Sequence, residues 1–117
     1  MTNADSDAVR DYYDRIDAEE YEAVFALFAD DVTYERTGQR LDGMAEFREF
    51  YLHVRPLEDG DHEIHRLVAD GDTVAVRGRF TGTQDGEEVA FGFADFHRFD
   101  DEGDIAERWT YTDRDEV

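Results

Sequence analysis

The sequence predicts one α+β domain, in which N-terminal helices pack against a curled antiparallel sheet. Three observations predict it. The chain has 117 residues, the size of a single domain. Apolar residues recur at helical spacing through the first half and at alternate positions through the second. Between the alternating runs stand Asp70-Gly71, Asp85-Gly86 and Glu102-Gly103, pairs that favour the tight turns of a meander. With no internal repeat, low-complexity segment or linker, residues 1–117 read as one domain.

The elements follow in order. Val9, Tyr12, Tyr13 and Ile16 lie at i, i+3, i+4 and i+7 behind Asp5 and Ser6, either of which can cap, and predict a helix over about residues 6–18. Tyr21, Val24, Phe25 and Phe28 repeat the pattern in a shorter helix that Asp30-Asp31 ends. Val32-Thr33-Tyr34 is β-branched and aromatic, a short strand reaching Arg36. After Thr37-Gly38 and Asp42-Gly43, a third helix carries Met44, Phe47, Tyr51 and Val54 on one face, and Pro56, the only proline, closes it. Four strands are expected over about residues 62–69, 73–83, 87–99 and 104–112. In the second, Val74, Val76 and Phe80 share a face opposite Arg77 and Arg79. In the third, Val89, Phe91, Phe93, Asp95, His97 and Phe99 share a face opposite Ala90, Gly92, Ala94, Phe96 and Arg98.

Composition sets what the domain can do. The formal net charge is -20, from 32 acidic residues against 12 basic ones, and every basic residue is Arg. Such a charge would suit a disordered acidic chain, but 40% hydrophobic and 14% aromatic content supplies a core. Self-repulsion on this scale is tolerable where salt screens it, since the Debye length falls to about 3 Å at molar ionic strength. The excess of carboxylates without a single Lys resembles salt-in halophilic proteins, haloarchaeal ones in particular. A polyanionic partner is repelled and no basic stripe is visible, so nucleic acid is excluded as a partner. No apolar run is long enough for a membrane span and the start MTNADSDAVR has no signal-peptide pattern, which predicts a cytoplasmic protein without a membrane partner. With no Cys there is no disulfide, thiolate metal site or cysteine nucleophile.

Three segments carry a family resemblance: AVRDYYDRIDAEEYEAVFALFADDVTYER, LDGMAEFREFY and FADFHRFDDEGDIAERWTYTD. Together they resemble the nuclear-transport-factor-2-like superfamily, in its SnoaL-like polyketide cyclase and ketosteroid isomerase branch, from about Ala8 to Asp113. The resemblance implies a cone, with the curled sheet wrapped around the first helix and an apolar pocket open at one end. It puts Tyr12 where the isomerases have their oxyanion-hole tyrosine, and Asp95 where they keep a protonated acid. Their general base would fall at Arg36, which cannot abstract a proton. Glu35 next to it points to the other face by strand alternation.

The residues themselves leave alternatives open. Asp95 is an acid on an apolar strand face, either a functional group or a core acid paired with Arg36 or a hydroxyl. Tyr12 is either an oxyanion donor or a packed helix residue. Arg36 either clamps a substrate carboxylate or phosphate, or pairs with one of the many acids. His97 shares the parity of Asp95 and is a candidate replacement base. Phe93 and Trp109 are candidate substrate contacts; Trp109, alternating with Tyr111 on the last strand, also fits a sheet face buried in the cone or in a dimer contact, with core packing the preferred of these. His62 and His65 fall on opposite strand faces and no ligand cluster has metal spacing, so neither metal nor cofactor is expected. The expected function is proton-transfer chemistry on a carbonyl compound through an enolate, in a pocket for a small hydrophobic or carbonyl-containing ligand. The alternative is a non-catalytic ligand-binding or dimerisation module.

Two outcomes follow from the charge and the faces. The melting temperature should rise strongly between dilute buffer and molar KCl, because screening relieves the repulsion; a midpoint fixed within about a degree or two over that range would contradict the halophilic reading. A homodimer is expected through the sheet face that exposes Phe96. Light scattering at molar salt tests it, and a 13.6 kDa monomer would refute it.

Overall fold

A computed structural model describes residues 4–36, 38–55 and 57–113. Helix α1 (Ser6–Asp17) begins where Asp5 Oδ1 accepts from the backbone N–H groups of Asp7 and Ala8 at 3.0 and 3.1 Å. Its stripe of Val9, Tyr12, Tyr13 and Ile16 is buried, as its spacing predicts. Helix α2 (Tyr21–Phe25) is followed by β1 (Phe28–Arg36), β2 (Gln39–Asp42), α3 (Gly43–Glu49), a π-helical turn (Phe50–Val54), β3 (Leu57–Asp70), β4 (Thr73–Gln84), β5 (Glu87–Phe99) and β6 (Ile105–Thr112).

The strands form one sheet in the order β2-β1-β6-β5-β4-β3. All neighbours are antiparallel except β1 and β6. At the β4–β5 turn Asp85 and Gly86 both take positive φ, 53° and 83°, the geometry of a two-residue hairpin whose twist matches the strands. The faces of β4 and β5 are as expected. Val74, Val76 and Phe80 on β4, and Phe91, Phe93, Asp95, His97 and Phe99 on β5, lie buried. No helix among the described residues is long and apolar enough to cross a membrane.

Three elements differ from expectation. Phe28 opens β1 rather than closing a helix, and Asp30-Asp31 lie within the strand at an irregularity of its register with β6, where both side chains reach solvent. The segment from Gln39 to Asp42 is a strand paired with β1, a hairpin too short to announce itself by periodicity. The third helix changes pitch at Phe50. In the wider π turn Phe50 and Tyr51 are both buried, while Val54 swings out to 53% exposure instead of joining Met44 and Phe47. Thr37 and Pro56, read as turn and helix stop, lie outside the described residues.

Candidate functional site

The site is built on the β5–β6 hairpin. The register sets Asp95 opposite Thr110 and His97 opposite Arg108. A bulge between Arg98 and Phe99 buries both Ile105 and Ala106, and from there the parity of β6 is the reverse of simple alternation from the turn. Arg108 and Thr110 therefore face inward, under the helices.

Arg108 is the centre of the cluster, 3% exposed. Its Nη2 donates to Asp95 Oδ2 at 2.9 Å and its Nη1 donates to the Tyr51 hydroxyl at 3.3 Å. The guanidinium lies between the rings of Tyr12 and Tyr34, 4.6 and 4.5 Å from their centroids. Asp95, 2% exposed, also accepts from the Tyr13 hydroxyl at 2.6 Å and from the Thr110 hydroxyl at 2.7 Å. Burial pushes its carboxyl up, but Arg108, with His97 and the two hydroxyls, pulls it down further, so it ends below the ordinary carboxylate value.

An ionised carboxylate only accepts, and that fixes the direction of the neighbouring hydrogen bonds. Thr110 spends its one proton on Asp95, so Tyr34 donates to Thr110 at 2.7 Å, and Arg36 Nη1 donates to the Tyr34 oxygen at 3.1 Å. Tyr13 likewise spends its proton on Asp95, so His97 Nε2–H donates to the Tyr13 oxygen at 3.1 Å. His97 Nδ1 is left as a buried lone pair with no hydrogen-bond partner. Burial and then Arg108 lower the His97 pKa to about 3, so its imidazole is neutral. Burial raises the phenols of Tyr12, Tyr13 and Tyr51. Burial also raises Tyr34, but Arg108 and Arg36 flank it and bring it below the ordinary phenol value.

Beside this cluster is a cavity of about 30 Å³, bordered among others by Tyr12, Tyr51, Arg36, Arg55, His62 and Phe93. It exceeds the ~10–15 Å³ that holds one water. It admits a compact group, and a fused-ring skeleton does not fit with the tyrosines in these positions.

Several expected residues change role in this geometry. Asp95 is an ionised acceptor, not a protonated donor, and its cation is Arg108 rather than Arg36. Its phenol is Tyr13; Tyr12 instead shares a hydrogen bond of 2.7 Å with Tyr51. His97 is fully buried behind Tyr12 and Tyr13 and does not border the cavity. Trp109 stands opposite Phe96 on the outer face of the sheet with Tyr111, away from the cavity and outside the core. Arg36 and Phe93 do border it. Among the described residues, no group of three or more His, Asp or Glu side chains is arranged to hold a metal ion.

Sequence reasoning missed a second pair. Asp17, the last residue of α1, accepts the backbone N–H of His62 at 2.8 Å through Oδ2 and the ring Nδ1–H at 2.5 Å through Oδ1. The contact places a proton on Nδ1, so that whenever the ring is neutral the lone pair is on Nε2. His62 sits among Phe80, Phe93 and Tyr13, its side chain only 10% exposed, on the wall of the cavity. The signal was an acid in the last turn of a helix, where the dipole disfavours it unless it has a partner.

The pH dependence of stability should report the buried His97. Its pKa is about 3 in the fold against an ordinary 6.5, so its contribution is complete above pH 6.5 and is lost as the pH falls toward 3. The slope is about 1.4 kcal/mol per pH unit in that window. His97→Gln keeps an N–H for Tyr13 and removes the slope. Urea midpoints of both proteins from pH 7 to 4 should diverge by nearly one proton, and parallel curves would contradict a desolvated His97.

The sequence matches the SnoaL-like domain over residues 9–108. No curated protein matches it. Among solved structures, an LEH-like epoxide hydrolase from M. tuberculosis is 25% identical, with a TM-score of 0.79 over 91% of this chain and 80% of that one. A candidate ketosteroid isomerase from Kribbella flavida is 27% identical, with a TM-score of 0.74 over 92% of this chain and 76% of that one. A nuclear-transport-factor-2-like protein of unknown function from an Exiguobacterium species shares the fold at 23% identity, with a TM-score of 0.79 over 91% of this chain and 98% of that one.

Proposed function

The chain belongs to the SnoaL-like domain family, and on that footing we propose that it moves a proton on a compact carbonyl compound, with His62 as the general base. The observation that carries this reading is the pair His62–Asp17 on the wall of the same cavity as an arginine-backed tyrosine pair. Asp17 holds the imidazole in the tautomer that accepts at Nε2 and stabilises the imidazolium once it forms. The proton leaves the carbon next to the carbonyl for Nε2, the electron pair of that C–H bond becomes the enolate C=C bond, and the C=O π pair moves onto the oxygen. In a β,γ-unsaturated compound, return of the proton from Nε2 to the γ carbon with re-formation of the C=O bond completes an isomerisation; where the enolate carbon instead attacks another carbonyl of the same molecule, the proton goes from Nε2 to the alkoxide formed and completes a cyclisation.

The oxyanion needs a donor, and Tyr12 and Tyr51 supply one. Two hydroxyls that share a single hydrogen bond consume one proton between them and keep the other. Burial raises both phenols, so both stay protonated at neutral pH. The Arg108 Nη1 donates to the Tyr51 oxygen, which polarises the pair toward a developing negative charge. Tyr12 thus has the oxyanion role in this reading, with Tyr51 and Arg108 in place of a protonated Asp95. The likeness to an epoxide hydrolase and a candidate ketosteroid isomerase supports chemistry at an oxygen-bearing group. A cytoplasmic, salt-rich setting and a homodimer belong to the same reading, supported by the charge of -20 without Lys and by the exposed Phe96 and Tyr111.

A non-catalytic binding module is the second reading. It is favoured by Asp95, the acid at the cavity wall, being occupied by Arg108, Tyr13 and Thr110. Hydrogen–deuterium exchange in small ketones and 1,3-diketones, followed by NMR in D2O at molar salt, separates the two. The enzyme reading expects exchange above buffer that falls about 10²–10⁴-fold in His62→Asn and less steeply in Tyr51→Phe. Binding without exchange, or exchange equal in wild type and His62→Asn, removes the proton-transfer reading.

A further inference from the structure

Among the described residues, Arg36 is a buried cation without an anion. It is 8% exposed and forms no ion pair with the described residues, in a chain of 32 acids. Its Nη1 donates to Tyr34, and its guanidinium lies 4.4 Å from the centroid of Phe50. Its Nε is buried and has no hydrogen-bond partner. Burying a charge is unfavourable unless something compensates it, and one hydroxyl and one aromatic face do so only in part.

The charges around the cavity define what would complete that compensation. Three guanidiniums, those of Arg36, Arg55 and Arg108, face the carboxylate of Asp95 and, behind His62, that of Asp17. Asp95 is committed to Arg108 and Asp17 to His62. Three guanidiniums against two carboxylates leave one positive charge in excess, in a chain of net charge -20. The space of about 30 Å³ limits the ligand to a few heavy atoms. A guanidinium edge presents parallel N–H groups that match the two oxygens of a carboxylate.

We propose that Arg36 anchors a small monocarboxylate, so that the compound handled in this cavity is a short oxo acid with its carboxylate on Arg36 and its carbonyl toward the Tyr12–Tyr51 pair. The oxo acid assignment rests on the proton-transfer reading above; the carboxylate anchor does not. A monoanion suits the single excess charge better than a phosphate dianion. Selectivity follows from the same feature, because a neutral ketone of equal shape leaves the Arg36 edge unanswered.

The test is a titration of the full chain in molar KCl with pyruvate, its neutral isostere pyruvamide, acetate, acetone and inorganic phosphate, read by calorimetry and NMR shifts. Pyruvate should bind at least about tenfold more tightly than pyruvamide, and acetate more tightly than acetone. Arg36→Gln should abolish that preference, while Arg79→Gln on the outer sheet face should leave it intact. Equal affinity for pyruvate and pyruvamide in wild type, a comparison that needs no variant to fold, would overturn the proposal. So would a preference that survives in Arg36→Gln, or phosphate binding as tightly as pyruvate. The exchange assay is read separately. A carboxylate preference without exchange supports the anchor and removes only the proton transfer, and exchange on neutral ketones without a carboxylate preference does the reverse.

Discussion

The buried pair of Arg108 and Asp95 is the interaction on which the rest of the interior depends. Burying two charges is expensive, and their attraction offsets the cost only when the remaining donors and acceptors are satisfied. Here Asp95 collects Tyr13 from α1 and Thr110 from β6, while Arg108 collects Tyr51 from the π turn and lies between the rings of Tyr12 and Tyr34. Five elements of the fold thus meet on one ion pair. Removing either partner would leave the other charge buried, a loss of about 3–5 kcal/mol in comparable cases. The pair specifies how α1 seats against the sheet as much as it stabilises it.

The same pair decides where chemistry is available. Proton by proton, its carboxylate orders Tyr13 and His97 on one side and Thr110, Tyr34 and Arg36 on the other. The hydroxyl protons of Tyr13 and Thr110 are thereby committed to Asp95. On the cavity wall, one phenolic proton between Tyr12 and Tyr51 and the Nε of Arg36 have no such commitment. Asp95, the acid that the family resemblance singles out, is held by Arg108, Tyr13 and Thr110.

Much of the fold was legible because period and turn chemistry agree. The stripe of α1, the alternating faces of β4 and β5 and the Asp-Gly turns all read directly from residue order. The site was less legible, for local reasons. Tyr12 and Tyr13 are adjacent and both buried, so helical spacing could not tell which one meets Asp95. Counting forward from the Glu102-Gly103 turn gives the wrong parity for β6, because β6 carries one extra residue, Ala106, opposite Arg98 and Phe99. That one step hid Arg108 and placed Trp109 inside. The His62–Asp17 contact joins residues 45 positions apart, across a helix end and a strand, and no local pattern records it.

The π turn at Phe50–Val54 has a consequence for how this cavity can vary between proteins. Two successive side chains point inward there, Phe50 against Arg36 and Tyr51 against Arg108, so a single widened turn holds both cations at a set separation. An ordinary helical turn would present one of those rings and turn the other aside. The gauge of the chamber is therefore written in chain length at one point as well as in side-chain identity. A one-residue deletion in that turn would retune the spacing of the two guanidiniums while every residue that touches a ligand stayed the same.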